Sequence, residues 1–113
     1  MKKKEHSPLD DDMLERVAAQ FRALSEPSRL RLMNLLFAGE RTVGELALES
    51  GLGMANVSKH LSILFAAGFV ARQKQDVRVL YSLADERTVE LCELMCRRVR
   101  ERAETELKVA RRS

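Results

Sequence analysis

The sequence predicts a mainly α-helical domain with one small β-hairpin, ordered as four helices, the hairpin and a long final helix. Three observations predict this fold. Apolar residues recur every three or four positions in five stretches, which is the period of an amphipathic helix. Two runs that combine valine with an aromatic residue, at 69–73 and 77–83, are typical of paired strands. Glycine or proline separates most of these stretches, and 113 residues suffice for one domain.

The first two helices are predicted from their starting residues. Aspartates at 10–12 precede the first apolar stripe, and acidic residues complement the dipole at a helix start, so we interpret them as caps rather than metal ligands. Pro27 suits the first position of the second helix. Residues 30–38 are apolar nearly all round and are predicted to be buried on several sides until Gly39 ends the helix. Residues 1–8 are predicted to be a disordered basic tail, and 9–110 a single domain.

Residues 42–68 predict two short helices joined by a glycine-containing turn. One face of the second helix, over 54–67, is apolar: Val57, Leu61, Leu64 and Phe65. The opposite face is small, polar and basic, without acidic residues: Ala55, Asn56, Lys59, Ser62 and Ala66, with His60 at the flank. Such a helix suits the DNA major groove, where side chains meet base edges and phosphates. The alternative is a helical hairpin of any small domain.

The predicted hairpin has a polar tip at 73–76, flanked by Arg72, Lys74 and Arg78. From residue 59 to residue 78 there are four cations and one aspartate, so this segment carries +3, equal to the net charge of the whole chain. A basic hairpin directly after a DNA-reading helix is typical of a wing that lies along the sugar–phosphate backbone. The alternative is a solvated hairpin with scattered basic residues.

The final helix, over 85–110, carries an apolar seam spaced by three and four: Val89, Cys92, Cys96, Val99, Ala103, Leu107 and Ala110. A seam that stays apolar beyond the rest of the domain is most simply covered by a second copy, so we predict a homodimer. Leu91, Leu94 and Met95 lie off the seam and are expected to contact the protomer's own body.

Cys92 and Cys96 lie one turn apart on this seam. Thiolates select soft metals and can be oxidised, so one interpretation is a thiol sensor or soft-metal site. The other, which we favour, is two small apolar residues that pack between helices. No cofactor is otherwise expected.

The whole chain excludes several classes of protein. No secretion signal or apolar run near the ~20 residues of a membrane span occurs, so a cytoplasmic protein with reduced thiols is predicted. No nucleophile–base pair, glycine-rich phosphate loop or carboxylate cluster occurs, so the chain is not predicted to be an enzyme.

This order of elements is that of a winged helix-turn-helix domain, and four strings resemble the ArsR/SmtB (arsenic-repressor-like) transcriptional repressors. They are ALSEPSRLRL from residue 23, NVSKHLSIL from residue 56, AGFV from residue 67 and VLYSL from residue 79. Their order and distances match the family over about residues 13–100. The resemblance implies a dimer formed by the first and last helices, and a repressor that leaves its palindromic operator when an inducer binds.

Carried over by position, the resemblance assigns two sets of residues. The DNA contacts are Met54, Ala55, Asn56, Ser58, Lys59, His60, Arg72, Lys74 and Arg78. The dimer contacts are Leu14, Val17, Phe21, Val89, Cys92, Cys96, Val99 and Ala103. The alternative function is a protein–protein interaction module that has the same fold but no specific DNA binding.

The sequence departs from the family's inducer sites. Residues 42–47 lack the Cys-x-Cys motif of the metal-sensing branch, and the final-helix metal pattern has arginine at positions 87 and 98. Arginine cannot ligate zinc, so neither metal site is expected. The second-helix cysteine of a thiol-oxidation branch aligns with Asn34, so that pair is also incomplete. None of these three family sites is therefore predicted to be complete in this chain.

Overall fold

The structure, a computed structural model, describes residues 9–112; the tail predicted at 1–8 lies outside the described residues. Its elements are α1 (Asp11–Leu24), α2 (Pro27–Phe37), α3 (Val43–Ser50), α4 (Met54–Ala66), β1 (Val70–Gln75), β2 (Arg78–Leu83) and α5 (Glu86–Arg112). The predicted order of four helices, a hairpin and a long helix is confirmed.

The first three helices begin at capping residues or at proline, close to the predicted positions. The Asp10 carboxylate accepts the backbone N–H of Met13 at 2.8 Å, which confirms the capping interpretation of this aspartate. Pro27 occupies the first turn of α2, as expected. Thr42 and Glu45 form a reciprocal capping box at α3, in which each side chain accepts the other residue's backbone N–H.

The core lies where α2, α3 and α4 meet the start of the hairpin. Its buried side chains are Ala23, Leu32, Met33, Leu36, Leu46, Val57, Leu61, Leu64, Phe69 and Val70. The expectation that α2 is buried on several sides is wrong for the single chain: Leu30 and Phe37 are 47% and 42% exposed. Both apolar side chains line a groove between α2 and α5 instead of packing inside the core.

The hairpin is longer and tighter than predicted. Strand pairing runs from Val70 opposite Leu83 to Gln75 opposite Arg78, which leaves only Asp76 and Val77 at the tip. Asp76 has φ 56°, in the left-handed region that aspartate tolerates better than most residues. At the other end of β2, an isolated bridge joins Tyr81 to Arg41, with N···O distances of 2.8 and 3.1 Å. This bridge fastens the hairpin to the segment before α3.

The start of helix α5 packs against the other helices of the protomer, and the rest of α5 extends away from them. The Asp85 carboxylate accepts the N–H and hydroxyl of Thr88, and Thr88 is the buried residue of this helix. Every residue from 93 to 112 is exposed. The radius of gyration is 17.5 Å, against about 13 Å for a compact chain of this length. Within the described part of the chain, no helix is both long and apolar enough to cross a membrane.

Candidate nucleic-acid interface

Helix α4 separates a buried stripe from an exposed polar face. Val57, Leu61 and Leu64 are fully buried against the core. The exposed residues on the other side are Ala55, Asn56, Ser58, Lys59 and Ser62. No aspartate or glutamate occurs in the helix, so this face offers donors, one cation and little that would repel a polyanion.

The amino end of α4 is open. Gly51 ends α3 with φ 76°, in the left-handed region, and Gly53 begins α4 without any side-chain hydrogen bond to the first turn. The N–H groups of a helix's first turn have no partner within the helix. Met54, at the first position, is 58% exposed. The first-turn N–H groups of α4 therefore lie at an end of the helix that no side chain caps, an arrangement that suits an anion.

His60 does not lie on this face, which corrects its assignment to the DNA contacts. The His60 side chain is only 14% exposed and is turned toward α2. Its Nδ1 is 3.2 Å from Arg29 Nη1, and its Nε2 is 3.8 Å from a Glu26 carboxylate oxygen. Since a guanidinium has only donors, Nδ1 is the acceptor of this pair. His60 therefore connects α4 to α2.

The hairpin divides its three cations between two faces. Residues directly opposite share a face and neighbours along a strand alternate, so Arg72 and Lys74 lie on one face and Arg78 on the other. The Arg72 guanidinium stacks 4.0 Å from the centre of the Phe65 ring on α4. Phe65 is 39% exposed, so its predicted place in the buried stripe of α4 is wrong and it supports the hairpin instead.

Arg78 forms an ion pair with a carboxylate on α3. Its Nη2 lies 3.7 Å from a Glu45 carboxylate oxygen. The pKa of Glu45 is held below its usual value, chiefly by the backbone and side-chain hydrogen bonds of Thr42 and in smaller part by the charge of Arg78. The Thr-x-x-Glu spacing at 42–45 predicts the capping box. No pattern in the sequence predicts the contact between Glu45 and Arg78. Arg72 stacks on α4, and Lys74 shares its face of the hairpin.

The residues predicted for the dimer and for thiol chemistry also fall into two groups. Phe21, Cys92, Cys96 and Val99 line the groove of the protomer itself, together with Leu91 and Met95. Leu14 and Ala103 are exposed outside the groove, and Val17 and Val89 are half-buried. The expectation that Leu94 contacts the body is wrong, because its side chain is 59% exposed and lies outside the groove.

Both cysteines are free thiols. Burial raises the pKa of the Cys92 thiol, with a smaller contribution from the neighbouring Cys96. Cys96 is exposed. Among residues 9–112, no group of three or more histidine, cysteine and carboxylate side chains is placed to hold a metal ion.

A helix-turn-helix with an exposed reading helix, a hairpin stacked beside it and a long final helix defines a winged helix-turn-helix protein. The sequence profile of the "Bacterial regulatory protein, arsR family" matches residues 26–72. A probable mercury resistance operon repressor from Streptomyces lividans is 38% identical over 71 residues, which are 63% of this chain and 57% of that protein. A biofilm growth-associated repressor from Xylella fastidiosa is 33% identical over 84 residues, or 72% of this chain and 74% of the repressor.

A solved structure agrees with these relatives. The homodimeric winged helix-turn-helix DNA-binding domain of a possible ArsR-family regulator from Mycobacterium bovis has a TM-score of 0.79 at 28% identity, covering 88% of this chain and 95% of that one. The chain therefore belongs to the ArsR family of bacterial regulatory proteins. It is a transcriptional regulator and not an enzyme, and the alternative of a mere interaction module is not supported.

Proposed function

We propose that this regulator is a homodimeric repressor that binds a palindromic operator through α4 and the hairpin and leaves it when an inducer binds. The observation that carries the proposal is α4 itself: three fully buried residues face the core and an acid-free polar face is open to solvent. The relatives named as repressors and the homodimeric M. bovis domain support it. Its place of action is the cytoplasm, where bacterial operators lie.

Each exposed residue of α4 has a role that follows from its chemistry. Asn56 can pair with adenine in the major groove through two hydrogen bonds, and the methyl group of Ala55 can contact a thymine methyl. Ser58, Lys59 and the backbone N–H groups near Met54 bind phosphates, as cations, hydroxyls and helix amino ends do. Base reading therefore rests mainly on one side chain, and the other groups hold the helix in its register.

The hairpin supplies further phosphate contacts through Arg72 and Lys74. Stacking on Phe65 leaves the guanidinium edge of Arg72 free, because stacking uses the planar face and hydrogen bonding uses the rim. Arg78 has a smaller part, since binding a phosphate would compete with its contact to Glu45. We leave His60 out of the DNA contacts and assign it a positioning role between α4 and α2.

The dimer follows from what the single chain leaves exposed. A palindrome requires two α4 helices about one helical turn of DNA apart, roughly 34 Å, and one copy provides only one. We propose that Leu14 and Val17 on α1 and Val89, Ala103 and Leu107 on α5 form the contact between copies. Phe21, Cys92, Cys96 and Val99, which were predicted there too, line the groove between α1, α2 and α5 beside this contact.

DNA binding should be tested with the operator found by footprinting the protein on DNA upstream of its own gene. Fluorescence anisotropy then compares that duplex with a scrambled duplex of equal length at one salt concentration. Asn56→Ala should cost about 1–3 kcal/mol on the operator and almost nothing on the scrambled duplex. Lys59→Ala should weaken binding to both duplexes and flatten the log–log salt slope by about 0.9.

Lys108→Ala is the matched control, because it removes the same charge from the exposed end of α5. It should change neither affinity nor slope by more than the general charge effect. Equal affinity of the wild-type protein for operator and scrambled duplexes would disprove sequence-specific repression.

A further inference from the structure

A cluster of charged and polar side chains connects the reading helix α4 to α2. The side chain of His60 on α4 is 14% exposed, and its Nδ1 lies 3.2 Å from Arg29 Nη1 on α2. The His60 Nε2 lies 3.8 Å from Oε2 of Glu26, the N-cap residue of α2. Histidine is the side chain whose charge ordinarily changes between about pH 5 and pH 8. A titratable group therefore lies at the contact between the DNA-binding helix and the rest of the domain.

The hydrogen bonds of this cluster define its neutral state. Arg29 can only donate, so the His60 Nδ1 accepts and carries no proton. The single proton of the neutral ring is therefore on Nε2, on the side of Glu26. The same Glu26 oxygen also accepts the Arg29 backbone N–H at 3.1 Å, as the cap of α2. In the neutral state, each of these three groups has a compatible partner.

The other charged groups of the surrounding elements do not contact the imidazole. From α1, two backbone carbonyl oxygens accept from the Arg29 guanidinium, and the Arg22 side chain is exposed. On α4 itself, the neighbouring Lys59 is exposed. The described contacts of charged groups on α3 and the hairpin lie elsewhere: Glu45 with Arg78, Glu49 with Arg41, and Arg72 with Phe65. Among residues 9–112, Glu26 and Arg29 are thus the charged groups that contact the ring of His60.

A proton on Nδ1 is incompatible with the contact to Arg29. The imidazolium ring has two donors and no acceptor, so its Nδ1–H would face a guanidinium that also only donates. At 3.2 Å the hydrogen bond is lost and the two positive charges repel each other. Glu26 attracts the new charge, in competition with its role as the cap of α2. We propose that protonation of His60 separates Arg29 from α4 and lowers operator affinity, so that this regulator releases DNA in mildly acidic solution.

The loss of affinity follows from what Arg29 holds together. Its guanidinium joins the last turn of α1 to α4, so its release frees the reading helix from both α1 and α2 at this point. Hydrogen bonds to base edges weaken steeply when their geometry changes. A proton, like any ligand, shifts an equilibrium only by its different affinity for the two states, and the DNA-bound state requires the neutral ring. The sign is diagnostic, because added positive charge alone would strengthen binding to DNA.

This regulation rests on the repressor function proposed above, whereas the separation of Arg29 from His60 does not. Operator affinity is measured by fluorescence anisotropy at constant ionic strength, at about pH 7.5 and about pH 5.5. Wild-type affinity should fall about tenfold at the acidic pH, a change typical of the coupling between two binding events. Unchanged or tighter binding of the wild-type protein at the acidic pH would overturn the proposal.

His60→Asn keeps an acceptor at the δ position but cannot take up a proton. It should bind as the wild-type protein does at neutral pH and lose no affinity at the acidic pH. His6→Asn is the matched control, since the chain has two histidines and position 6 precedes the described domain. It should keep the full wild-type loss. An equal acid-induced loss in His60→Asn and in the wild-type protein would assign the response to another group and overturn the proposal.

Glu26→Gln tests the charge of the cluster separately from its shape. Glutamine keeps an oxygen that can cap α2, but it removes the carboxylate next to His60. The imidazolium is then less stable, so the loss of operator affinity should require a lower pH than in the wild-type protein. Glu40→Gln removes an exposed carboxylate before α3 and should leave the pH profile unchanged. Identical profiles for Glu26→Gln and the wild-type protein would contradict the assignment to this cluster.

The separation of Arg29 is measured without DNA, by long-range proton–nitrogen NMR spectra of the full chain. At neutral pH the His60 ring should carry its proton on Nε2. At the acidic pH both ring nitrogens should be protonated, and the Arg29 Nη protons should exchange with water faster. A neutral ring protonated on Nδ1, or Arg29 signals that stay constant when the ring gains its proton, would overturn the proposal. If the protein does not bind the operator at neutral pH, the repressor function fails, and these spectra alone decide whether the proton releases Arg29.

Discussion

At the scale of single residues, Arg29 on α2 contacts two other helices, α1 and α4. Its Nε donates to the carbonyl oxygen of Ala23 at 2.6 Å, and its Nη2 donates to that of Arg22 at 3.2 Å. These carbonyls belong to the last turn of α1, and the Arg22 carbonyl also accepts from the N–H and the hydroxyl of Ser25. The same guanidinium donates to His60 on α4, and the Arg29 backbone N–H binds the Glu26 carboxylate. One side chain therefore joins the end of α1 to the helix that reads DNA.

Arg29→Ala should lower the free energy of unfolding by about 2 kcal/mol, because it leaves partly buried acceptors without their charged donor. Urea denaturation followed by circular dichroism measures this change. Arg31→Ala is the matched control on the same helix, since Arg31 makes a single, longer contact of 3.3 Å to the Ser50 carbonyl. A loss at position 29 no larger than at position 31 would show that the cluster around His60 adds little to stability.

At the scale of elements, the contact between α4 and the hairpin orients the DNA-binding surface. β1 leaves the core after Val70, and its outer half is exposed on both sides. The stack of Arg72 on Phe65 is the described contact that brings this outer half back to α4. The outer half of β1 therefore contacts the reading helix through one aromatic ring, while the Arg41–Tyr81 bridge and the Arg78–Glu45 pair hold β2 to the region of α3.

Phe65→Leu should weaken operator binding two- to fivefold, the equivalent of the 0.5–1 kcal/mol typical of an exposed cation–π contact. The variant keeps every charge, so the salt slope should be unchanged, which distinguishes it from Arg72→Ala. Anisotropy titrations at three salt concentrations measure both quantities. Leu48→Ala, an exposed apolar residue on α3, serves as the control. Unchanged affinity in Phe65→Leu would mean that the Arg41–Tyr81 bridge and the Arg78–Glu45 pair suffice to position the hairpin.

At the scale of the whole molecule, most of the long final helix does not pack into the core of its own chain. Its 27 residues span about 40 Å, yet the second half contributes no buried side chain to the protomer. Leu107 is 52% exposed on the same stripe as Ala103. An apolar stripe that a chain leaves uncovered over this length is typical of an interface between copies.

Leu107→Glu should shift the protein from dimer to monomer without unfolding the protomer, because a charge in an apolar helix contact is poorly solvated. Sedimentation velocity gives the mass, and near-unchanged helical circular dichroism shows that the fold persists. Thr105→Glu adds the same charge on the opposite side of α5 and should leave the dimer intact. A Leu107→Glu protein that sediments as a dimer would move the interface away from the end of α5.

Much of the fold was predictable because it is encoded over short distances. Helix period, the caps at Asp10 and Thr42 and the proline at the start of α2 involve residues no more than four positions apart, so they can be read along the chain. The exposed face of α4 followed from the same periodicity. The exact hairpin tip did not, since strand register depends on pairing across the chain rather than on composition.

The sequence by itself determined the order of elements, the reading helix and the family of the protein. Tertiary structure alone decided which side chains share a surface. His60 and Arg29 are 31 positions apart, and Arg78 and Glu45 are 33 apart, so no local pattern could pair them. The groove likewise needs three helices brought together, and three residues of the α5 seam, Cys92, Cys96 and Val99, line it. Local structure depends on neighbours in sequence, whereas burial and pairing depend on how helices pack, and packing is a property of the whole chain.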